Sequence, residues 1–156
     1  MRVAIAIGSN LGDRRAAIAF AADRLASFIT TPALSEPVET EPEGEGAGVQ
    51  PLYLNAVLVG ETMLPAREVL DALLAIEREY GRERPHRGAP RTLDLDLVLL
   101  GDQVVDEPGL QVPHPRFRTR FFVLGPLAEV ASDLRDPVTG LSVGDLLRQL
   151  LRDDRR

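Results

Sequence analysis

Arg91-Thr92-Leu93-Asp94-Leu95-Asp96-Leu97-Val98-Leu99-Leu100 is the stretch on which the reading of this chain turns. From Leu93 onward apolar and acidic residues alternate with a period of 2, which predicts a β-strand over Asp94–Leu100. In a strand, residues two apart point to the same face, roughly 6.5–7 Å from each other. Asp94 and Asp96 are therefore expected side by side, with Val98 and Leu100 continuing their face. Two carboxylates at that spacing repel by about 2–3 kcal/mol at an effective dielectric of ~20. A divalent cation between them removes the repulsion, and Mg²⁺ favours one or two carboxylates together with phosphate oxygens and water. A bare Asp-x-Asp is more often a solvated strand face. Here the acidic face turns apolar after two residues and Arg91 stands just before it, which favours a metal–phosphate site.

Working outward from that strand, the chain alternates between sheet and helix. Val3 to Ile7 reads as a short buried strand ending at Gly8, with Ser9 and Asn10 available to cap a helix and Asp13 suited to its positive end. Ile18, Ala21, Ala22, Leu25 and Phe28 then form a helical stripe. Gly8-Ser9-Asn10-Leu11-Gly12 lacks the lysine and glycine spacing of a phosphate-cradling loop and reads as a strand–helix turn. Thr31 to Val38 is a weak strand, and Tyr53 to Val59 a firm one. Between them, Glu39 to Pro51 is an acidic, glycine-rich loop. Pro65 opens a second helix striped by Ala66, Val69, Leu70, Leu73, Ile76, Glu77 and Tyr80 and stopped by Gly81. Arg82 to Pro90 is a basic loop. Beyond the Asp94 strand, Gly101-Asp102 turns the chain. Phe121 to Ala131 and Leu141 to Leu151 are two further helices, the first kinked or opened by Pro126, and residues 152–156 are expected to fray. The order strand–helix–strand–strand–helix–strand predicts an α+β fold. It would be a ferredoxin-like βαββαβ sandwich with helices on one face of a mostly antiparallel sheet and a C-terminal helical extension.

Composition narrows the chemistry. At 156 residues the chain reads as one domain over 1–156, with 44% hydrophobic and 27% charged residues. No apolar run approaches the ~20 residues of a membrane span. No cysteine is present, which removes thiolate chemistry and suits a cytoplasmic protein. All 18 positive residues are arginine, so neither a P-loop lysine nor a Schiff-base lysine exists, and two histidines do not build a multi-histidine metal centre. A net charge of −6 argues against nucleic-acid binding. Yet Arg82, Arg84, Arg87 and Arg91 crowd one stretch, and Arg116, Arg118 and Arg120 another. Two arginine clusters near an aspartate pair suit a small polyphosphate with its metal.

Taken together, these residues resemble the 6-hydroxymethyl-7,8-dihydropterin pyrophosphokinase family. The resemblance runs through five motifs in order. They are Gly8-Ser9-Asn10-Leu11, Tyr53-Leu54-Asn55-Ala56, Ile76-Glu77 with Gly81-Arg82 and Arg84, Pro90 to Asp96, and Val112-Pro113-His114-Pro115 with Arg120 and Phe122. The resemblance implies pyrophosphate transfer from ATP to a pterin alcohol in folate biosynthesis, by a cytoplasmic monomer that binds only small molecules, no nucleic acid and no membrane. Asp94 and Asp96 would hold two Mg²⁺ ions with the ATP phosphates. Arg82 and Arg91 would act in catalysis, with Asp96 as proton acceptor. Arg84, Arg91, His114 and Arg120 would bind the triphosphate, and Glu77 the nucleoside. Tyr53 and Phe122 would stack on the pterin, with Asn55 and groups near Thr40 hydrogen-bonding it. The acidic and basic loops would close over the substrates. A tryptophan common before the family's Pro-Arg-Thr motif is missing, with Gly88 in that region, and Pro115 replaces a frequent aromatic.

Two other readings compete. A phosphatase of the haloacid-dehalogenase type also uses Asp-x-Asp, but there the aspartates leave a strand, whereas here they open one, and the chain has no lysine to complete such a site. A non-catalytic ferredoxin-like ligand-binding module would want sheet aromatics and a basic face to bind RNA, against 4% aromatics and a charge of −6.

Overall fold

The computed structural model describes residues 1–41, 52–83 and 93–154, and of Arg82 and Glu83 the backbone alone. Its centre is β1 (Arg2–Ser9), flanked by two antiparallel neighbours, β4 (Tyr53–Glu61) and β5 (Asp94–Leu100). On the far side of β4 lie β2 (Thr30–Leu34) and β3 (Val38–Thr40), giving the path β2-β4-β1-β5 with β3 also on β4. The two central strands are apolar on both faces, as strands covered from both sides must be. The weak strand expected over Thr31 to Val38 is thus two. Ser35 separates them because its N–H donates to the Val57 carbonyl while its hydroxyl accepts the Val57 N–H.

Helix α1 (Arg14–Leu25) starts one turn later than the Ser9-Asn10 signal suggested. Ser9 still belongs to β1, and Asp13 is the cap, its carboxylate accepting the Ala16 N–H at 3.0 Å. Helix α2 (Ala66–Glu83) runs through Gly81, which therefore does not end it. Glycine costs a helix about 1 kcal/mol relative to alanine but does not by itself stop one. These two helices bury Ala17, Ile18, Leu25, Val69, Leu73 and Ile76 against Val3, Ile5, Ile7, Leu95 and Leu97 on one face of the sheet.

The opposite face is covered as well. Helices α3 (Phe121–Ala131) and α4 (Val143–Asp153) pack Leu124, Leu127, Val143 and Leu146 with Phe117 on Ala4, Val57, Val59, Val98 and Leu99. Helices therefore lie on both faces rather than one: the βαββαβ pair on one side, the C-terminal extension on the other. Pro126 sits inside α3, and α4 continues to Asp153, past Leu151 and into the residues expected to fray. A hairpin of β6 (Val105–Glu107) and β7 (Leu110–Val112), absent from the sequence reading, turns at Pro108-Gly109 with Gly109 at φ 75°. A proline followed by a positive-φ glycine is what a type II turn requires.

The ladder between β5 and β1 is irregular at one point. The strands pair as Ile5↔Leu97 and Ala4↔Leu99, so Val98 is an extra residue in β5, a β-bulge. Asp94, Asp96 and Val98 share the α3 side, but after the bulge Leu99 takes that side and Leu100 turns to the other. The expected continuity of the acidic face into Leu100 is therefore broken. The Val98 carbonyl, displaced by the bulge, accepts the His114 N–H at 2.9 Å and ties the chain after β7 to β5. Deleting Val98 is expected to leave Leu97, Leu99 and Leu100 in correct alternation and the fold intact. The cost should be about 2–4 kcal/mol for one buried valine and one hydrogen bond. Urea unfolding and amide exchange at His114 check this. An unchanged midpoint with a still-protected His114 amide would show that the bulge carries no such tie.

Candidate active site

The α3–α4 layer covers only part of its sheet face. At the end where β1 finishes and β5 begins, no described helix covers the sheet, and a cleft of about 450 Å³ opens there. Its floor follows from strand register. Gly8 pairs with Asn55 on one side and Asp94 on the other, and Ala6 with Val57 and Asp96, so Asn55, Asp94 and Asp96 project from adjacent strands on one face. Thr40 and Tyr53, paired across β3 and β4, extend that face, and Arg116, Arg120 and Phe122 close it from the start of α3.

Gly8 makes the floor possible. A Cβ there would lie 3.1 Å from Asn55 Oδ1 and 3.6 Å from the Tyr53 ring. Asn55 is buried, and its Nδ2 donates to Thr40 Oγ1 at 2.6 Å. That bond fixes which way the amide faces. It engages one donor of a group that carries two donors and an acceptor. Arg14, on α1, donates to the Glu39 carboxylate and to the Leu52 carbonyl, holding the end of β3 against the start of β4.

The two aspartates stand as the strand pattern requires. Burial, and secondarily the charge of Asp96, pushes the Asp94 carboxyl above its ordinary range, while a long 3.4 Å hydrogen bond from Tyr53 Oη opposes the rise. The Tyr53 phenol is raised in turn, by burial first and then by Asp94. Negative charge is thus crowded here, and no described salt bridge involves either aspartate. Among the described residues no group of three or more His, Cys, Asp or Glu gathers to hold a metal. The donor set is two carboxylates, which fits an ion that completes its shell with phosphate and water, as Mg²⁺ does. Glu77 reaches the cleft from α2, and its Oε2 accepts the Leu95 N–H at 2.8 Å, bracing the peptide between the two aspartates.

A second cleft, of about 690 Å³, lies along the outer edge of β5 and shares Asp96 with the first. Leu70, Leu97, Leu110, His114 and Pro115 line it. His114 Nδ1 accepts the Arg116 N–H at 3.1 Å, which places the proton of the neutral ring on Nε2.

The chain matches the family model for 7,8-dihydro-6-hydroxymethylpterin-pyrophosphokinase over residues 4–132. It belongs to that family. The Pseudomonas aeruginosa 2-amino-4-hydroxy-6-hydroxymethyldihydropteridine pyrophosphokinase is 43% identical over 136 residues, 87% of this chain and 84% of that protein. The Bacillus subtilis protein of the same name is 39% identical over 139 residues, 86% of this chain and 81% of the relative. Among solved structures, wild-type Plasmodium falciparum HPPK-DHPS superposes with a TM-score of 0.73 over 99% of this chain at 11% identity, a likeness of fold. This chain spans 46% of that longer one. Membership of the pyrophosphokinase family displaces the phosphatase and the non-catalytic module, and the antiparallel sheet order agrees with the ferredoxin-like expectation. No described helix is long and apolar enough to cross a membrane.

Of the residues singled out from sequence, Thr40, Tyr53, Asn55, Glu77, Asp94, Asp96, Arg120 and Phe122 line the first cleft, and His114 with Asp96 the second. Arg84, Arg91 and the side chain of Arg82 lie outside the described residues, as do most of the acidic loop and of the basic loop. Arg118 does not join its neighbours. Its guanidinium forks onto Asp136, whereas Arg116, which carried no role of its own in the sequence reading, lines the cleft.

Proposed function

We propose that the first cleft takes the hydroxymethyldihydropterin and the second the nucleoside end of ATP, with the phosphates crossing at Asp96. The observation that carries this reading is the sharing of Asp96 by two clefts of different character. One offers a buried amide with two aromatic rings, and the other the leucines of an outer strand edge with His114 and, on the hairpin side, Asp106 and Glu107. Tyr53 and Phe122 suit the faces of a flat heterocycle, and Asn55, oriented by Thr40, suits its pyrimidinone edge. Arg116 and Arg120 provide fork-shaped donors for phosphate oxygens, with the Arg120 guanidinium 5.5 Å from the Phe122 ring centre. Arg82, Arg84 and Arg91 complete the cationic set, the first and last in catalysis. Glu77, which the resemblance assigns to the nucleoside, lines the first cleft rather than the second, and in this reading it braces β5 between the two aspartates.

In this reading the pterin hydroxymethyl oxygen attacks the β-phosphorus in line. The new O–Pβ bond forms as the bond from Pβ to the α-phosphate oxygen breaks, so AMP leaves and the γ-phosphoryl stays attached to Pβ. Asp96 accepts the hydroxyl proton. Asp94 and Asp96 would hold two Mg²⁺ ions, which supply neutralisation of the charge that grows on the phosphates. Positioning and charge stabilisation carry most of such a transfer.

Methylene analogues of ATP separate attack at the β-phosphorus from ordinary kinase chemistry. With Mg²⁺ and the pterin alcohol, β,γ-methylene ATP is expected to react and release AMP, because its α–β bridge is intact. The α,β-methylene analogue is expected to bind without turnover. The reverse pattern, with the α,β analogue reacting and the β,γ analogue inert, would mean γ-phosphoryl transfer and overturn the reading.

A further inference from the structure

The residues from His114 to Phe122 supply His114, Arg116, Arg120 and Phe122 to the two clefts, yet the backbone bonds that close the turn between them are long. The 3₁₀ turn Phe117–Thr119 is closed by bonds of 3.3 Å (Phe117 N–H to the His114 carbonyl), 3.2 Å (Thr119 N–H to Arg116) and 3.4 Å (Arg120 N–H to Phe117). These are long against the usual 2.9–3.0 Å. The turn also carries three guanidinium groups within five residues, which repel one another. Something other than the turn itself must hold it in place.

Two anchors do. Phe117 is fully buried in the core beneath α3 and α4. Arg118, half-buried over the Phe117 ring, forks onto Asp136 in the α3–α4 connection, Nε to Oδ2 at 2.5 Å and Nη2 to Oδ1 at 2.9 Å. Asp136 is itself rigidly set. Its carboxylate accepts the Thr139 hydroxyl at 2.8 Å and the Val138 N–H at 3.0 Å, and its backbone N–H donates to the Leu141 carbonyl at 2.9 Å. It has no solvent exposure and does not line the first cleft or the second.

We infer that Asp136 is a positioning residue for the phosphate-binding edge of the site, acting through Arg118. The inference rests on the reading of Arg116 and Arg120, on the wall of the first cleft, as donors to the phosphates that cross at Asp96. Asp136 neutralises the middle arginine and turns it into the fold, and thereby presents its neighbours Arg116 and Arg120 to the cleft on either side. Without the clasp, Arg118 becomes a half-buried cation lacking its carboxylate, and the turn must move to solvate it. Misplacement of a binding group by about 1 Å is enough to cost one to two orders of magnitude.

The test measures steady-state constants of the full chain well below the melting temperature of each variant. Asp136→Asn is expected to raise KM for MgATP by about tenfold while KM for the pterin alcohol stays within about twofold. Titration with Mg²⁺ and α,β-methylene ATP is expected to show the same loss of affinity. Thr139→Val, which removes one brace of the carboxylate but not its charge, folds more safely and is expected to shift KM for MgATP in the same direction by about two- to threefold. A lower melting temperature with both KM values unchanged would make the clasp merely structural and overturn the inference, as would equal rises in both. A wild-type protein that binds no Mg-nucleotide would instead refute the phosphate-site reading, and this inference with it.

Discussion

Asp94→Asn and Asp96→Asn proteins are expected to lose at least about 10³-fold in kcat while melting no lower than wild type in metal-free buffer. The catalytic loss follows from removing one of the two carboxylates proposed to hold a divalent cation on the phosphates, an effect worth several kcal/mol at the transition state. The stability expectation follows from the sign of the Asp94 shift. A carboxyl raised in the folded state, here by burial and by Asp96, is less comfortable ionised in the fold than in the unfolded chain. It therefore detracts from stability at pH values above its unfolded pKa, and a neutral amide of the same shape removes that penalty. Rate and melting temperature should move in opposite senses, whereas damage to the fold would lower both. Near-normal turnover in either variant would sink the metal assignment.

Asn55→Leu is expected to raise KM for the pterin alcohol by about 10²-fold or more, with KM for MgATP nearly unchanged. Asn55 is buried at the centre of the floor, its orientation set by Thr40 and its space kept open by Gly8. Leucine keeps the branching and heavy-atom count of the side chain but leaves polar edges of a bound ring unpaired, at about 1–3 kcal/mol for each group. Thr40 Oγ1 loses a partner as well, but Thr40 is only partly buried, so the fold should tolerate the change. Comparable losses for both substrates would mean that Asn55 supports the cleft as a whole rather than reading the pterin.

The residues that form the floor were legible in the sequence because their signal is local. Alternation over Asp94 to Leu97 fixes a strand and its acidic face, and a polar Asn55 inside an apolar strand marks a buried amide with a purpose. What could not be read depends on contacts distant in sequence. The Val98 bulge, which sends Leu100 to the other face, is set by pairing with β1 and leaves no mark in a run of Leu and Val. Helix α2 overruns Gly81 because Val69, Leu73 and Ile76 are held by the sheet, which outweighs one unfavourable residue. Arg118 looked like its neighbours in a cluster of three. Only the fold brings Asp136 against it, eighteen positions away. There burial alone would raise the Asp136 carboxyl, but the hydrogen bonds from Arg118, Thr139 and Val138 hold it below its ordinary range. The β6–β7 hairpin, by contrast, was signalled by Pro108-Gly109 and was missed because the strands are only three residues each.

In the proposed reaction two phosphoryl groups leave ATP together, onto an alcohol seated over Asn55 and beside Asp96. The most direct measurement is quantitative separation of nucleotides after incubating the protein with MgATP and hydroxymethyldihydropterin. AMP is expected to appear in a one-to-one ratio with pterin pyrophosphate, and no AMP when the pterin or Mg²⁺ is omitted. Accumulation of ADP, or of inorganic phosphate without a pterin product, would contradict it.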